Sequence, residues 1–382
     1  MDENKDIKDI KDIKDIKDIT SNGMPEENII GYAENEFIAD EVTEEKQFDL
    51  KSARRTFGLL SLGLFATVFV ILATSFSIGA FIPSELLGKA WFPYLLNFVV
   101  MYAIAFPIGY LFIRGLPKDE PEIPTESKMN KKTFIRMFIS ALCLMYVGNI
   151  VGTAVTGFFT FFKYFLREMP SQSFSEMFNK DAFFVQIIFV AVVAPIVEEL
   201  IFRKVIIDRT KRFGYMPAIL FSGVTFGLFH GNFSQMFYAT LLGFLLAYIY
   251  CRTGKVIHTI LMHSVINIYG GVVPTVIFAL MDTERLDAIQ MIEDSDKYIE
   301  AITDFAIDNI LPIILYSLHM IAFLTIAVIG LIFLIKDRKR YKAGILKADP
   351  PMPKGKTFKT LFVSAGFILF VCAVLVEVYL SL

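Results

Sequence analysis

The hydrophobic positions of this chain form long unbroken runs that are separated by short polar stretches. An α-helix rises about 1.5 Å per residue, so roughly 20 apolar residues cross the ~30 Å hydrocarbon core of a bilayer. Runs of this kind recur along most of the sequence from Phe57 onward. Because a backbone in lipid must satisfy its own hydrogen bonds, each run predicts a membrane-spanning helix.

We predict nine such helices, with eight as the alternative count. They cover residues 57–82, 91–113, 137–162, 183–206, 216–231, 235–251, 256–280, 309–335 and 360–381. The fifth and sixth are short and are joined by a tight turn. The predicted fold is therefore all-α, a polytopic membrane domain over residues 56–382.

The composition excludes a water-soluble globule. Of the 382 residues, 55% are hydrophobic, the mean hydropathy is positive, and 39 phenylalanines accompany a single tryptophan. The charges are confined to loops, so the formal net charge of −2 says nothing about partners, and nothing indicates nucleic acid. Cys143, Cys251 and Cys372 have no CxxC spacing, which indicates neither a disulfide framework nor a thiolate zinc site.

The first 55 residues predict a cytoplasmic, low-complexity tail. The tripeptide Lys-Asp-Ile runs five times from Lys5 to Ile19, and a Glu-rich stretch follows. A period of three matches neither a strand nor one face of a helix, so we expect this tail to be disordered or transiently helical. A docking role is the alternative to a solvated extension. We expect no cleavable signal peptide, because the first apolar run is long enough to remain as an anchor.

Basic residues accumulate in every second loop, which predicts the orientation. They are Lys51, Arg54 and Arg55 before the first run, Lys128, Lys131, Lys132 and Arg136 after the second, Lys204, Arg209, Lys211 and Arg212 after the fourth, Arg252 and Lys255 after the sixth, and Arg338, Lys339, Arg340, Lys342 and Lys347 after the eighth. Since cytoplasmic loops carry the excess of Lys and Arg, the N-terminus is predicted to be cytoplasmic and the C-terminus to be outside.

Two other loops bear on this orientation. The loop from Asp282 to Asp308 contains nine acidic residues against Arg285 and Lys297, which fits the outer side. The loop between the third and fourth runs is also predicted to be external, yet it contains basic residues. These are Lys163, Arg167 and Lys180.

The fourth run contains two carboxylates, Glu198 and Glu199, in an otherwise apolar helix. A charged side chain in hydrocarbon costs roughly 2.5–3.5 kcal/mol, so each one is a candidate for function. At about 100° per residue the two point in different directions, and Glu199 falls one turn before Arg203. Glu198 has no such partner on its own helix, which is the situation of a general base. The alternative is a helix end where both glutamates reach the cytoplasmic interface.

Histidines in two further runs strengthen the catalytic interpretation. In the fifth run, Phe226 precedes His230 by one turn. In the seventh, His263 and Asn267 share one helix face, where an imidazole and a carboxamide can hold one water, one metal or one oxyanion. His258 is interpreted as an interface residue, and His319 as a packed or hydrogen-bonded histidine.

The depths of these groups differ. Counting about 1.5 Å per residue from the cytoplasmic ends places Glu198 and His263 about one-third of the way in and His230 deeper. Tilt, a broken helix, or a fourth helix that continues past Arg203 toward Arg212 would bring them level.

The three patterns together resemble the CPBP family, which includes the type II CAAX prenyl endopeptidases and the bacteriocin-processing or immunity proteins also called Abi. The family pattern appears here complete and in order, within residues 183–280, as Glu198-Glu199-x-x-x-Arg203, Phe226-x-x-x-His230 and His263-x-x-x-Asn267. Each motif alone is weak, but three in order, each in its own apolar helix, are specific.

The resemblance implies an intramembrane endopeptidase without a covalent intermediate. Glu198 would be the general base for a water that His230 helps to hold, and His263 with Asn267 would stabilise the oxyanion. Glu199, Arg203 and Phe226 would be supporting residues. A zinc ion bound by Glu198, His230 and His263 is left open, because the His-Glu-x-x-His signature of soluble zinc proteases is absent.

The expected substrate is a membrane-embedded or lipid-anchored protein or peptide, and the expected location is the bilayer of a bacterial plasma membrane. Two other functions compete with proteolysis. One is a non-hydrolytic bacteriocin-immunity or partner-binding protein that keeps the motifs for structure. The other is a transporter that uses Glu198 and the histidines as a proton relay, although no inverted repeat supports it.

Overall fold

The structure, a computed structural model, describes residues 47–89, 91–118, 129–164 and 183–382. These parts of the chain are helices and loops, and they contain no strand. The nine apolar helices, numbered in chain order, are α1 Leu50–Phe81, α2 Trp91–Ile113, α3 Lys131–Tyr164, α4 Phe183–Phe213, α5 Tyr215–Leu228, α6 Phe233–Thr253, α7 Val256–Phe278, α8 Ile310–Ala343 and α9 Ala365–Ser381.

Each of the nine predicted segments is an apolar helix, and the prediction of a polytopic all-α membrane protein is confirmed. Seven of the helices are long and apolar enough to cross a membrane. The other two, α5 and α9, have 14 and 17 residues. The Lys-Asp-Ile repeat lies outside the described residues.

Four helices, α1, α3, α4 and α8, extend beyond a predicted end by more than one turn: α3 begins at Lys131 instead of residue 137, and α8 ends at Ala343 instead of residue 335. α1 begins at Leu50, about two turns before the predicted start, and it takes up the end of the expected tail. α4 continues to Phe213 instead of ending at residue 206. The continuation is possible because Arg203 and Arg209, which look like residues of the membrane interface, are fully buried and hydrogen-bonded inside the protein.

Four short helices connect the long ones: Ser84–Leu87, Thr283–Gln290, Ser295–Asp308 and Thr357–Phe362. The two in the acidic loop begin at N-caps, where a carboxylate accepts a backbone N–H of the first turn. Asp282 accepts from Arg285 N at 3.1 Å, and Asp294 accepts from Lys297 N at 3.0 Å.

The helix ends that carry the basic loops meet at one end of the bundle, which we call the basic end. Side chains join these helix ends in pairs: Arg136 with Asp337 at 2.8 Å, Asp208 with Tyr250 at 2.8 Å, and Arg212 with Thr56 at 3.3 Å. The backbone N–H of Tyr215 also donates to the Leu346 carbonyl. The alternating charge pattern therefore corresponds to one common face of the molecule. The acidic helices Thr283–Gln290 and Ser295–Asp308 connect α7 to α8 at the opposite end, which we call the acidic end.

The hydrophobic core lies in the half of the bundle nearer the basic end. Its buried residues come from α3 to α8 and include Met137, Leu142, Ile207, Ala218, Leu246, Ile249 and Met262. Glycines allow the close helix contacts that membrane helices need in place of a hydrophobic driving force. A Cβ atom on Gly148 of α3 would lie 2.3 Å from the Tyr238 Cα of α6.

The other half of the bundle is much more open. The first part of α2, Trp91–Phe98, contains no buried residue, and neither does Ile268–Val272 in α7. The candidate site lies where the packed half meets this open half.

Candidate active site

The helix that carries the two glutamates is irregular on both sides of them. π-helical turns at Phe189–Val193 and Leu200–Ile207 flank the α-helical stretch Ala194–Glu199. Pro195 has no N–H and its ring needs space, which a wide preceding turn provides. α2 and α7 have the same arrangement, with a π-helical turn directly before the stretch that contains Pro107 or Pro274. Three helices are therefore widened beside the site.

Glu199 points into the packed half and is completely buried. Arg203 Nε donates to its Oε2 at 2.9 Å and Nη2 donates to its Oε1 at 3.2 Å, so the predicted i, i+4 pair is present. Arg203 is equally buried, and its Nη1 donates to the Ser222 hydroxyl of α5 at 2.8 Å. A buried charge is tolerated when it is paired and hydrogen-bonded in this way.

Glu198 points into an open space instead. Its side chain keeps 13% of its surface exposed. The Tyr102 hydroxyl of α2 donates to Glu198 Oε1 at 3.0 Å. Among the described residues, no lysine or arginine pairs with this carboxylate. The Nε2 atom of His263 lies 3.9 Å from Glu198 Oε2. Its second oxygen is therefore available to a water or a substrate.

His263 connects the two glutamates. Its Nδ1 lies 3.0 Å from Glu199 Oε1, and Nε2 faces Glu198. Because a carboxylate can only accept, Nδ1 is the donor in the bond to Glu199, which fixes the tautomer of the neutral ring and its orientation. Nε2 is then the nitrogen available for chemistry.

His230 follows the C-terminal end of α5, in the turn to α6. Its Nδ1 lies 2.9 Å from the Phe226 carbonyl, which again leaves Nε2 available. Gly231 has φ +63°, a conformation that favours glycine and ends the helix. Asn232 then caps α6 by accepting from Gln235 N at 2.9 Å, and its amide donates to the His230 carbonyl. Local backbone geometry thus places the ring.

The predicted difference in depth disappears because α4 is longer than predicted. Gly214 joins α4 to α5, and Glu198 and His230 are equally far from it along the chain. The two helices leave this turn as antiparallel neighbours, so both side chains lie roughly 24 Å from it at about 1.5 Å per residue. Of the three explanations that the sequence allowed, the structure contains the longer fourth helix.

Asn267 makes a contact that the sequence did not predict. Its Nδ2 donates to the Val190 carbonyl at 2.9 Å, within the first π-helical turn of α4. A neighbouring helix commonly satisfies a carbonyl that is freed next to a proline. The bond uses one of the two N–H groups of the amide and leaves the other one available.

Phe226 lies at the centre of these groups. Its ring meets the rings of His230 and His263 edge to face, with centroids 5.0 and 5.7 Å away. The Arg203 guanidinium stacks over the same ring at 4.9 Å from its centroid. A single buried aromatic ring therefore contacts both histidines and the guanidinium of Arg203.

All four predicted catalytic side chains line one cavity of about 740 Å³. Glu198 reaches it from α4, His263 and Asn267 from α7, and His230 from the turn after α5. Further polar side chains in its wall are Tyr94, Asn97, Tyr102, Asn149, Gln235, Tyr238, Tyr316 and His319. The volume is that of a typical ligand pocket, large enough for a short peptide segment.

Sequence reasoning missed Tyr102, which bonds Glu198 across 96 positions of the chain. Phe98, Tyr102 and Phe106 stack along one face of α2 at a spacing of four, and this aromatic stripe was the only local signal. Glu377 of α9 was also not singled out. It lies against Gly231, where a Cβ atom would come 2.6 Å from its Oε2.

The two other histidines take different positions. His258 does not line the cavity. His319 packs against Tyr269, with ring centroids 5.0 Å apart, as the interpretation of a packed histidine expects. It also forms part of the cavity wall, on the side of α8.

The expected zinc ligands do not form a complete set as they are placed. Within the described ranges there is no group of three His, Cys, Asp or Glu side chains that could hold a metal ion. Glu198 and His263 approach each other, but His230 does not complete a set of three with them.

Comparison with known proteins adds two matches. Residues 180–269, which contain all three motifs, match the family model of the type II CAAX prenyl endopeptidase Rce1-like proteins. The chain is also 25% identical over 210 residues to YdiL of Bacillus subtilis (strain 168), which is named as a candidate membrane peptidase. This match covers 47% of the present chain and 86% of YdiL. No solved structure matches the chain.

Both matches agree with the motifs. The family model covers the stretch in which the structure brings Glu198, His230, His263 and Asn267 to one cavity. The match to YdiL, a candidate membrane peptidase, extends the similarity beyond this stretch. The two matches support membership of the CPBP family and a membrane peptidase of the CAAX type.

Proposed function

We propose that this protein is an intramembrane endopeptidase that cleaves a peptide bond with a water activated by Glu198. One observation carries the proposal. Of two adjacent glutamates, Glu199 is saturated by Arg203 and His263, whereas Glu198 opens on the cavity that His230, His263 and Asn267 also line. A carboxylate with an available oxygen in a water-accessible pocket is the group that hydrolysis requires.

In the first step Glu198 takes a proton from the water while the water oxygen attacks the carbonyl carbon of the scissile bond. The carbonyl π bond breaks, and its electron pair becomes the oxyanion of a tetrahedral intermediate. In the second step the C–N bond breaks and Glu198 returns the proton to the leaving nitrogen. The products are a carboxyl group and an amine, and no bond to the protein is formed.

His230 is the proposed second contact of the attacking water. The Phe226 carbonyl engages Nδ1, so in the neutral ring Nε2 is an acceptor for a water proton. A water held by both Glu198 and Nε2 would be oriented before it reacts, and such orientation lowers the entropic part of the barrier.

His263 and Asn267 are the proposed stabilisers of the oxyanion. Their side chains share one helix face and line the same cavity. His263 already gives its Nδ1–H to Glu199, so it donates to the oxyanion through Nε2 when both ring nitrogens carry a proton; Asn267 is held through one N–H by the Val190 carbonyl and offers the other. Donors fixed before the reaction stabilise developing charge better than donors that must reorganise.

For the substrate we propose a membrane-embedded or lipid-anchored protein or peptide, because the site lies among membrane-spanning helices. We also propose a multi-pass location in a bacterial cell membrane, with the N-terminus in the cytoplasm and the C-terminus outside. The supporting observation is that contacts between the helix ends next to the basic loops, Arg136 with Asp337, Asp208 with Tyr250 and Arg212 with Thr56, lie at one end of the bundle.

The test uses purified full-length protein in liposomes with a library of membrane-anchored fluorogenic peptides. We expect the wild type to cleave some members, and we expect Glu198→Gln and His230→Ala to lose about 10²–10⁴-fold of that rate while they remain folded. Matched controls are Glu300→Gln in the helix Ser295–Asp308 and His258→Ala in α7, outside the cavity. Cleavage by both site variants at the rate of the wild type would refute the mechanism.

A further inference from the structure

The cavity is closed toward the basic end of the bundle. Directly below the site on that side lie Glu199, Phe202, Arg203 and Ser222, and none of them has any exposed surface. The Ser222 hydroxyl donates to the Phe202 carbonyl at 2.8 Å and accepts from Arg203, so this layer also has its polar groups paired. Below it comes the hydrophobic core. A peptide segment could not pass through this packed half without unfolding it.

The cavity extends toward the acidic end. Its wall beyond Glu198 includes Tyr94 and Asn97 at the start of α2, Asn149 in the later part of α3, and Pro274 near the end of α7. Asn97 and Asn149 are exposed side chains. The same stretch of α2 contains no buried residue. The opening is therefore formed by the ends of the helices that are farthest from the basic loops.

The chemistry of this opening suits an extended peptide. Asn97, Asn149 and Gln235 each bring a carboxamide, which has both donors and acceptors for a peptide backbone. Apolar and aromatic side chains surround them, so a hydrophobic segment would lose little on entry.

Charge identifies the two sides of the membrane. The basic end collects the loops that follow α2, α4, α6 and α8, and an excess of Lys and Arg marks the cytoplasmic side. The opposite end carries the acidic helices Thr283–Gln290 and Ser295–Asp308, with nine acidic residues against two basic ones between Asp282 and Asp308. An opening at the acidic end is thus an opening to the outside.

We infer that the substrate reaches Glu198 from the extracytoplasmic side, as a membrane-anchored peptide or protein whose cleavable segment lies at the outer leaflet. That the protein has a substrate at all rests on the proposed function. The direction from which this substrate enters rests on the packed layer and the opening. A segment confined to the cytoplasmic leaflet would meet the closed half of the bundle and would not be cleaved.

The test measures the reaction of single cysteines with a membrane-impermeant maleimide in intact cells and in inside-out vesicles. Cys372→Ser provides the background, because Cys143 and Cys251 are buried. Asn149→Cys reports on the opening and Lys255→Cys reports on the basic end, with Asn97→Cys as a second reporter if the first fails to fold. We expect the opening reporters to react at least about tenfold faster from outside, and Lys255→Cys only in inside-out vesicles.

Activity is read in parallel with the anchored fluorogenic peptides, and labelling of Asn149→Cys from outside should abolish cleavage. Reaction of the opening reporters from the cytoplasmic side alone, or from neither side, would overturn the inference. If these cysteines react from outside but wild-type protein cleaves no peptide, the access route holds and the proposed function fails. If the wild type cleaves and labelling of Asn149→Cys from outside leaves the rate of that variant unchanged, the function holds and the route is wrong.

Discussion

Two adjacent glutamates on one helix have opposite surroundings. The region around Glu199 is completely buried, and Arg203, His263 and, through Arg203, Ser222 satisfy every charge in it. The region around Glu198 is a cavity in which one oxygen accepts from Tyr102 and the other faces His263 at 3.9 Å. The comparison shows that the position of a carboxylate relative to the packed half decides what it can do.

The difference follows from helix geometry. Successive side chains are about 100° apart, so one glutamate points into the hydrophobic core and the other points along the boundary of the open half. The carboxylate in the core is held in place and contributes to structure. The carboxylate at the boundary keeps an available oxygen and is suited to chemistry.

The largest expected effect is a loss of stability on breaking the buried ion pair of Glu199 and Arg203. Arg203→Met removes the guanidinium and leaves Glu199 charged in the core with only His263. Loss of one partner of a buried ion pair costs about 3–5 kcal/mol, so thermal unfolding in detergent should shift strongly and the folded yield should fall. Lys204→Met is the matched control, because this lysine is exposed and its partner Asp208 keeps Lys211 and Tyr250 as partners, so stability should change by less than about 1 kcal/mol. Equal stability of the two variants would contradict the account of the Glu199 region.

The next largest effect is a loss of cleavage on replacing His263, which contacts both Glu198 and Glu199. His263→Gln keeps an amide donor for Glu199 but removes the imidazole nitrogen that faces Glu198. We expect cleavage to fall by about 10²–10³-fold, as for the loss of one oxyanion donor, with a smaller loss of stability than in Arg203→Met. His258→Gln on the same helix is the control. A variant that retained full activity would remove His263 from the proposed site.

The smallest effect concerns the hydroxyl on Glu198. Tyr102→Phe removes one hydrogen bond to a carboxylate that water can partly replace. The loss is about 1.5 kcal/mol, which is about tenfold in the cleavage rate, and the fold should be unaffected. Tyr94→Phe, in the same cavity without a bond to Glu198, should retain the rate of the wild type. If both variants behave alike, the Tyr102 contact does not orient the base.

Much of the fold could be predicted, because hydropathy and loop charge report directly on a bilayer. The separation of Glu198 from Glu199 was also predictable, since it needs only the helical period and one i, i+4 partner. The end of α4 was not predictable. Arg203 and Arg209 look like residues of a membrane interface, and only tertiary contacts show that one pairs with Glu199 and the other with the Ile113 carbonyl.

The other contacts that the sequence did not predict have the same cause, which is that they are tertiary. The bond from Tyr102 to Glu198 and the bond from Asn267 to Val190 join helices that are distant in sequence, and no local pattern encodes them. The π-helical turns depend on how neighbouring helices pack around Pro107, Pro195 and Pro274. The motifs contain the residues of the site, but the contacts that orient these residues are formed only by the folded arrangement of the helices.

The most direct test of the central claim is a side-by-side measurement of Glu198→Gln and Glu199→Gln, each assayed for peptide cleavage and for thermal unfolding. The account predicts a clean separation. Glu198→Gln should retain the stability of the wild type and lose cleavage by about 10²–10⁴-fold. Glu199→Gln should lose several kcal/mol of stability because Arg203 is left as an unpaired buried charge. Retained cleavage in Glu198→Gln, or unchanged stability in Glu199→Gln, would contradict it.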